Sequence, residues 1–296
     1  MLVITTSQAG GVAGDRLAEV AAELGPDAEV ARCSDPAGLD AALDRGHEML
    51  VVAGGDGTLH TVAGALYRRG ELASRTVGLV PMGTGNDFAR GTGIPLQPVA
   101  AARALRAGTA RPLDLIVDDT GVVTVNAVHM GVGADSTRAA SRLKRWLGPA
   151  SFPVGGLIAG WAARGYRLRV EADGEVVIGP EHRVLLVGLA NGPRVGGGHA
   201  ILDPDARPDD GRIRLVVSRS RGPAARLMHA VRLHRGTHPM ELDLHRRSAA
   251  VVRVSGEPCS ATSDGEIEDG IVDRTWRVLP GAWNFVLPDQ PDRTSS

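Results

Sequence analysis

The chain has 296 residues, of which 43% are hydrophobic, and its formal net charge at pH 7 is −1. This length is enough for two domains or one large one, and the near-neutral charge offers no general attraction to nucleic acid or to an acidic membrane. The single lysine, Lys144, does not follow a glycine-rich loop, which excludes P-loop nucleotide-binding proteins and protein kinases, since both hold phosphate with a lysine.

The cysteine content and the apolar runs indicate a cellular compartment. Cys33 and Cys259 are the only cysteines, too few for a disulfide framework or a zinc site, so a reducing cytoplasm is expected. The first predicted strand begins at residue 2, and no basic segment precedes it, unlike the start of a signal peptide. No apolar run approaches the roughly 20 residues that cross a bilayer. We therefore expect a soluble cytoplasmic protein that meets any lipid from the membrane surface.

Strands and helices alternate through the first part of the chain. Apolar runs predict strands at residues 2–6, 28–32, 49–53 and 77–80. Asp15 is predicted to cap the helix after the first strand, and Asp35 with Pro36 to begin the helix after the second. Strands that alternate with helices predict a parallel sheet.

Two glycine-rich loops follow the third and fourth predicted strands, at residues 54–58 and 81–90. The carboxyl ends of parallel strands share one edge of a sheet, so both loops should face one crevice. Glycine backbone N–H groups and helix N-termini bind phosphate, and aspartates suit Mg²⁺. Ordinary strand-to-helix turns would also contain Gly, Asp and Thr, but two such loops on neighbouring strands favour a nucleoside-triphosphate site.

Strands dominate after the helix predicted at residues 99–107. A hairpin is predicted from residues 113–117 and 122–125, with its turn at 118–121. Further strands are predicted at residues 167–172, 176–178, 184–190, 212–218, 249–255 and 275–278, with helical segments at 155–165 and 224–234. We predict an α/β domain at residues 1–121, a mostly antiparallel β domain at 122–287 and a frayed polar tail at 288–296.

The two loops carry a specific resemblance. Gly-Gly-Asp-Gly-Thr-Leu at residues 54–59, with Gly-Thr-Gly-Asn-Asp-Phe-Ala-Arg at 83–90, resembles the diacylglycerol kinase catalytic family, which includes soluble bacterial lipid kinases and sphingosine kinases. NAD kinases and phosphofructokinases share a loop like the first motif, so the second motif points to lipid kinases. Similar blocks follow in the family's order at residues 126–135, 190–198, 204–211, 236–238 and 264–266.

The resemblance extends over nearly the whole chain, and it implies a fold and an activity. The fold would be an NAD kinase/phosphofructokinase-like α/β domain with a parallel sheet, followed by a mostly antiparallel β-sandwich domain. The activity would be that of an ATP- and Mg²⁺-dependent lipid kinase that phosphorylates the hydroxyl of diacylglycerol or a similar lipid alcohol. The chain departs from the family at residues 5–8, Thr-Thr-Ser-Gln, in a third loop expected at the same sheet edge.

The resemblance also implies catalytic residues. Asp56 and Asp87 would hold Mg²⁺–ATP, and Asp114 would be the third carboxylate of an acidic network. Glu266 would be the general base that accepts the proton of the lipid hydroxyl. Asp-Gly-Glu at residues 264–266 also reads as a hairpin turn, as its twin at 173–175 does. The resemblance favours the base, because this copy occupies the late position where the family has its base.

Two groups of ligand contacts complete the predicted site. The nucleotide-binding residues are predicted to be Gly54, Gly55, Asp56, Gly57, Thr58, Leu59, His60, Thr61, Gly83, Thr84 and Asn86. Residues 207–212 resemble the family's structural Mg²⁺ site, with Asp210 as carboxylate ligand and Arg207 and Arg212 as backbone carbonyl ligands. A type I turn would also account for Asp and Gly in this segment.

Membrane contact and two other functions remain open. A basic strip with an adjacent aromatic residue suits either a solvated helix face or an anionic membrane surface; it consists of Arg138, Arg142, Lys144, Arg145 and Trp146. We expect peripheral membrane association and no nucleic-acid partner, and leave a homodimer open. The alternatives are an NAD kinase-like phosphotransferase, which should lack the motifs at residues 86–90 and 264–266, and a non-catalytic nucleotide-binding regulator.

Overall fold

The computed structural model describes residues 1–6, 12–131, 165–198, 200–219 and 244–289. It divides the chain into two compact units. The first unit is Met1–Leu113 with Gly281–Ser296, and the second is Asp114–Pro280.

Helices and strands alternate in the first part of the chain, and strands follow. The first elements are β1 (Leu2–Thr5), α1 (Val12–Leu24), β2 (Glu29–Arg32), α2 (Pro36–Leu43), β3 (Met49–Gly54), α3 (Asp56–Arg69), β4 (Thr76–Pro81), α4 (Asp87–Thr92) and α5 (Pro98–Ala107). The remaining elements are β5 (Thr109–Asp118), β6 (Val123–Thr124), β7 (Ala127–Gly131), β8 (Tyr166–Ala172), β9 (Glu175–Ile178), β10 (Arg183–Ala190), β11 (Arg194–Val195), β12 (Ala200–Ile201), β13 (Ile213–Arg219), β14 (Leu244–Ala249), β15 (Val251–Ser263) and β16 (Glu266–Leu287).

The first unit is built on parallel strand pairs. Strand β1 pairs in parallel with β2 and β3, and β3 pairs in parallel with β4. The C-terminal end of β16 adds a further parallel pair, in which Asn284 and Phe285 lie opposite Thr76 and Val77. Because successive parallel strands need crossover connections, helices α1, α2 and α3 link these strands, as the alternating pattern predicts.

Apolar side chains fix the position of both glycine loops in this unit. Leu50, Val51 and Val52 of β3 are fully buried, as expected for a strand covered on both faces. The second loop is anchored by Phe88, whose ring lies 4.8 Å from that of Phe285 and 6.2 Å from that of Trp283 between centroids. Aromatic pairs at these separations add to the free energy of burial, so the start of α4 is held against the end of β16.

One predicted helix start is confirmed and another is wrong. Asp35 caps α2, since its Oδ1 accepts the N–H of Gly38 at 2.8 Å, and Pro36 is the first helical residue. Helix α1 begins at Val12, so Asp15 lies within its first turn instead of capping it. A carboxylate in the first turn still interacts favourably with the helix dipole, which explains why the residue resembles a cap.

The second unit is an antiparallel β structure. Its strands pair antiparallel in the order β14, β13, β10, β7, β15 and β16, and β8 pairs with both β10 and β15. A common core contains buried side chains from these strands, including Val128, Leu189, Leu215, Val252 and Trp276. The predicted hairpin is confirmed, with Ile116 opposite Thr124 and Val117 opposite Val123.

Several predicted boundaries differ from the structure. The units divide after Leu113 instead of residue 121, and the segment from Gly281 returns to the first unit. The turn at 118–121 marks a hairpin inside the second unit, because the paired residues on both sides of it, 116–117 and 123–124, lie after Leu113. The compact units and the predicted domains therefore place this boundary eight residues apart.

Strand lengths were also underestimated. The predicted strand at 249–255 is divided between β14 and β15, and the one at 275–278 is part of β16, which has 22 residues. Strand β7 was not predicted. Polar residues on the outer face interrupt the apolar runs, so hydrophobicity detects only the buried stretches. The predicted helical segments, the basic strip and the tail from residue 290 lie outside the described residues, except for Gly165 at the end of the first segment.

Across the described ranges, no helix is both long and apolar enough to cross a membrane.

Candidate active site

The two glycine loops of the first unit pack backbone against backbone. A Cβ atom added at Gly83 would lie 2.7 Å from the Cα of Gly55, and one added at Gly55 would lie 3.1 Å from the Cα of Gly83. The N–H of Met82 also donates to the carbonyl of Gly54 at 2.9 Å. Side chains at these glycines would force the loops apart, so both glycines are needed for the close approach.

Asp56 of the first loop is bonded to the helix that follows the second loop. Its Oδ2 accepts the N–H of Asp87 at 2.9 Å, and its Oδ1 accepts the N–H of Phe88 at 3.0 Å. The first N–H groups of a helix have no partner within the helix, so Asp56 caps α4 from another loop. The structure thus brings the predicted ligands Asp56 and Asp87 together, and gives Asp56 a structural role that sequence reasoning missed.

Asn86 shapes the second loop from within. It adopts a left-handed conformation, φ 53° and ψ 48°, which asparagine tolerates better than most residues. Its Oδ1 accepts the N–H of Gly83 at 3.1 Å, while its Nδ2 donates to the carbonyl of Gly83 at 2.8 Å. The described contacts of this side chain therefore order the loop, although Asn86 was predicted as a nucleotide contact.

The threonines place the end of β1 beside the first loop. The hydroxyls of Thr6 and Thr58 are 2.8 Å apart and share a hydrogen bond. This contact supports the prediction that the loop after β1 starts at the same sheet edge, although residues 7–11 lie outside the described ranges. The hydroxyl of Thr61 donates to the carbonyl of Gly57 at 2.9 Å, and Thr84 is exposed.

Two of the predicted nucleotide contacts are buried. Leu59 is fully buried, and its N–H donates to the carbonyl of Gly55 at 3.1 Å. Both its side chain and its N–H are therefore used in the fold, and its geometry does not support the predicted contact. His60 is also largely buried. The N-terminal turn of α3, which contains Gly57 and Thr58, remains the part of the first loop best suited to phosphate.

Asp114 belongs to the second unit. It is only 3% exposed, its N–H donates to the carbonyl of Pro208 at 2.6 Å, and its Oδ2 accepts the N–H of Gly211 at 2.6 Å. Asn191 donates through Nδ2 to the carbonyls of Asp114 and Val125, at 2.9 and 2.8 Å. The described contacts of Asp114 therefore order the segment that contains the predicted structural metal site.

No three His, Cys, Asp or Glu side chains are grouped closely enough to hold a metal ion within the described ranges. The structure therefore gives no support for a cluster of three carboxylates among them. Asp56 and Asp87 are in contact through the N–H of Asp87, and Mg²⁺ usually binds only one or two carboxylates, together with phosphate oxygens and water.

Glu266 follows a tight turn between β15 and β16. Asp264 and Gly265 have φ angles of 50° and 100°, as a two-residue hairpin turn of this kind requires. Glu266 is exposed and lies opposite Ser263 in the hairpin. The hairpin-turn interpretation of residues 264–266 therefore holds for the backbone, and leaves the predicted role of the glutamate open.

The side chain of Asp264 fixes this turn to a neighbouring segment. Its Oδ2 accepts the N–H of Val125 at 2.6 Å, and its Oδ1 accepts those of Asn126 and Ala127 at 2.8 and 3.1 Å. The backbone N–H of Asp264 also donates to the carbonyl of Ala127 at 3.1 Å. Sequence reasoning identified the turn but missed these hydrogen bonds of Asp264, because the N–H donors lie 137–139 residues away along the chain.

His129 of β7 lies opposite Thr262 of the same hairpin. Burial lowers its pKa from 6.5 to about 4, and the negative charge of Asp264 acts in the opposite direction. The imidazole is therefore neutral at pH 7, because burial disfavours its charged form.

The segment predicted as a structural metal site is occupied by ion pairs. Asp210 accepts the N–H of Arg212 through Oδ1 at 3.0 Å and pairs through Oδ2 with the guanidinium of Arg214. Arg207 pairs with Asp209 at 3.1 Å. Because a fixed arginine already compensates the only carboxylate of the predicted site, these residues do not fit a bound Mg²⁺.

Comparison with known proteins agrees with both units. The family model described as the diacylglycerol kinase catalytic domain matches residues 1–117. The one described as the YegS C-terminal NAD kinase beta sandwich-like domain matches residues 126–287. Together they define a class of proteins in which a kinase-type α/β domain precedes a β-sandwich. The chain belongs to the YegS-like family with a diacylglycerol kinase catalytic domain.

Curated relatives of the chain are described as probable YegS-like lipid kinases. A probable lipid kinase YegS-like from Pseudomonas aeruginosa is 41% identical over 181 residues, which cover 60% of this chain and 57% of the relative. A protein of the same description from Stenotrophomonas maltophilia is 36% identical over 186 residues, 60% of this chain and 58% of the relative. The matches thus span less than two thirds of these relatives.

Solved structures show the same fold over a larger share of the chain. A putative diacylglycerol kinase from Bacillus anthracis str. Sterne has a TM-score of 0.77 at 21% identity, covering 97% of this chain and 96% of its own. An NAD kinase from Archaeoglobus fulgidus in complex with ATP has a TM-score of 0.50 at 12% identity, with coverages of 97% and 92%. At these identities, the likeness concerns the fold alone.

Proposed function

We propose that the protein is a kinase that transfers the γ-phosphoryl group of ATP to the hydroxyl of a lipid alcohol such as diacylglycerol. The observation that carries the proposal is the pair of glycine loops, packed at Gly55 and Gly83 and joined by the carboxylate of Asp56. In a member of this family, that arrangement supports a phosphate site at the start of α3, where the second loop packs against the first.

In this proposal the first unit holds the nucleotide. Backbone N–H groups at the start of α3, near Gly57 and Thr58, bind phosphate oxygens together with the helix dipole. Asp56 and Asp87 would hold Mg²⁺, which neutralises charge on the phosphates when it is bound. Phosphoryl transfer needs mainly positioning and charge compensation, and rigid packing of the two loops supplies the positioning.

The second unit supplies the base in this proposal. Glu266 accepts the proton of the attacking lipid hydroxyl, and the hydrogen bonds of Asp264 hold its hairpin in place. A positioned general base typically contributes about 10²–10⁴-fold in rate. The lipid is reached by peripheral contact with a cytoplasmic membrane surface, and no nucleic acid takes part.

An NAD kinase-like activity is the second candidate, favoured by the fold shared with the archaeal NAD kinase. It is the weaker one because the chain has both the Asn-Asp-Phe-Ala-Arg extension at residues 86–90 and the turn at 264–266. These are the features by which the sequence resembles lipid kinases instead of NAD kinases.

Phosphate transfer from γ-labelled ATP distinguishes the candidates. The full chain is incubated with Mg²⁺ or with EDTA, in mixed micelles that contain diacylglycerol, another lipid alcohol, NAD or no acceptor. We expect labelled phospholipid that requires both the lipid alcohol and Mg²⁺. Labelled NADP would support the second candidate, and nucleotide binding without transfer to any acceptor would favour the regulator.

Asp87→Asn is the matched loss-of-function variant for this assay. It removes a carboxylate that is proposed to hold Mg²⁺, whereas Asp56→Asn would also disturb the cap on α4. Transfer should be lost in Asp87→Asn while the far-ultraviolet circular dichroism stays unchanged. Near-normal turnover of this variant at saturating Mg²⁺ would contradict the assignment of the two loops.

A further inference from the structure

The segment at residues 207–212 is held by groups of the protein itself. The N–H of Asp114 donates to Pro208, and the Oδ2 of Asp114 accepts from Gly211. The carboxylate of Asp210 accepts the N–H of Arg212 at 3.0 Å. These hydrogen bonds hold the segment at both ends through groups of the protein.

The cation beside Asp210 is the guanidinium of Arg214. The two residues form an ion pair four positions apart, and their side chains are only 27% exposed for Arg214 and 21% for Asp210. A half-buried pair is screened less by water and salt than an exposed one. The carboxylate of Asp210 is therefore compensated by the chain itself.

Strand pairing holds the backbone of Arg214 on both sides. Arg214 is a residue of β13, where it lies opposite Ala190 of β10 and Ser248 of β14. The neighbouring arginines have other carboxylates: Arg207 pairs with Asp209, and Arg212 lies 3.7 Å from Asp173.

A divalent ion at Asp210 would have to displace the guanidinium of Arg214 or bind beside it. Mg²⁺ dehydrates reluctantly and demands nearly octahedral oxygen ligands, and a cation already fixed on the same carboxylate repels it. We propose that Arg214 takes the place of a structural metal ion at residues 207–212, so that the second unit folds without a divalent cation. This inference does not depend on the proposed kinase activity.

Thermal unfolding of the full chain without nucleotide tests the inference. The wild-type midpoint should be the same in EDTA, MgCl₂ and CaCl₂. Arg214→Gln removes the cation and keeps a polar side chain of moderate length. We expect its midpoint in EDTA to fall by roughly 2–4 °C, and MgCl₂ or CaCl₂ to restore part of that loss in a saturable way.

Arg212→Gln is the matched control. Its side chain is exposed and does not pair with Asp210, so its midpoint should change little and gain no response to divalent ions. If the midpoint of Arg214→Gln falls but does not respond to divalent ions, the inference that Arg214 replaces a metal ion is wrong. Arg214 is then only an ordinary ion-pair partner. An unchanged midpoint of Arg214→Gln in EDTA also overturns the inference.

The wild-type protein decides the matter even if Arg214→Gln fails to fold. Titration calorimetry with MgCl₂ alone, on wild type and Asp210→Asn, should give the same heats. A saturable wild-type response that Asp210→Asn abolishes would place a metal ion on this segment and overturn the inference. A response that Asp210→Asn leaves intact belongs to other carboxylates, and is consistent with the inference.

Discussion

Two turns of the second unit have the same sequence, Asp-Gly-Glu, and nearly the same backbone. Asp173 and Asp264 both have φ 50°, and the glycines that follow have φ 85° and 100°. Each turn joins two antiparallel strands, β8 with β9 and β15 with β16. The tripeptide therefore specifies a hairpin in both places, and the backbone of the turn cannot by itself indicate a catalytic role.

The two turns differ in what their aspartates hold. Asp173 uses one oxygen, Oδ1, to accept the N–H groups of Ala250 and Val251, both at 2.9 Å. Asp264 uses both oxygens, for the three consecutive N–H groups from Val125 to Ala127. The two turns thus share a backbone conformation and differ in the number of N–H groups that their aspartates accept, two for Asp173 and three for Asp264.

The largest difference should appear in catalysis. Glu266→Gln keeps the shape of the side chain but cannot accept a proton at neutral pH, so kcat should fall by about 10²–10⁴-fold. The KM for ATP should change little, because the proposed nucleotide site lies in the first unit. Steady-state assays with a lipid acceptor measure both quantities. Glu175→Gln in the twin turn should be silent, and equal effects of the two substitutions would remove Glu266 from the mechanism.

A second difference should appear in stability. Asp264→Asn turns one carboxylate oxygen into an amide NH₂ group, which cannot accept the N–H of Val125. An unsatisfied buried group costs about 1–3 kcal/mol, so the free energy of unfolding in urea should fall by that amount. The kcat of the remaining folded protein should also fall, because the turn before Glu266 loses its anchor. An unchanged unfolding curve would show that these hydrogen bonds contribute little.

Titration of His129 gives a third, spectroscopic difference. The charge of Asp264 raises the pKa of this histidine against the larger effect of burial, which brings it to about 4. Asp264→Asn should therefore lower the pKa of His129 further, whereas Asp173→Asn should leave it unchanged; proton NMR of the imidazole measures both. A rise in the pKa of His129 in Asp264→Asn would show that greater exposure of the imidazole to water outweighs the loss of the negative charge.

The same histidine makes stability depend on pH. Its pKa in the folded chain, about 4, lies below its ordinary value near 6.5, so the unfolded chain binds the proton more readily. The contribution of neutral His129 to the free energy of unfolding is fully present above about pH 6.5 and is lost as the pH falls towards 4.

The smallest effect should come from Asp173→Asn. Asparagine keeps Oδ1 as an acceptor for Ala250 and Val251, and the exposed contact of Asp173 with Arg212, at 3.7 Å, contributes little to stability. The free energy of unfolding should change by no more than about 0.5 kcal/mol. A loss as large as that of Asp264→Asn would mean that the number of N–H partners does not explain the difference between the turns.

Local sequence patterns were sufficient to predict much of the fold of the first unit. Apolar runs located β3 and β4, and the glycine-rich sequences after them located the two loops that pack together, because strand ends and helix starts obey local rules. The same rules identified the cap at Asp35. The bond from Asp56 to α4 was missed because nothing near Asp56 in sequence specifies which N–H groups its carboxylate will meet.

The second unit was harder to predict because its decisive contacts are distant in sequence. Three partners of Asp264 precede it by more than a hundred residues. Asp210 resembled a metal ligand until the fold placed the guanidinium of Arg214 on it. Resemblance to a family transfers the backbone of such a segment, but a single charged side chain beside it can change what the segment binds.

Strand β16 also has a consequence for synthesis on the ribosome. Its last residues pair with β4, and Phe285 packs on Phe88 near the second glycine loop. Those partners are made about two hundred residues earlier, so the aromatic core and the β4–β16 pair of the nascent first unit are complete only after β16 has been synthesised. Contacts of such long sequence separation slow folding, and the emerging edge of β4 needs protection until β16 arrives.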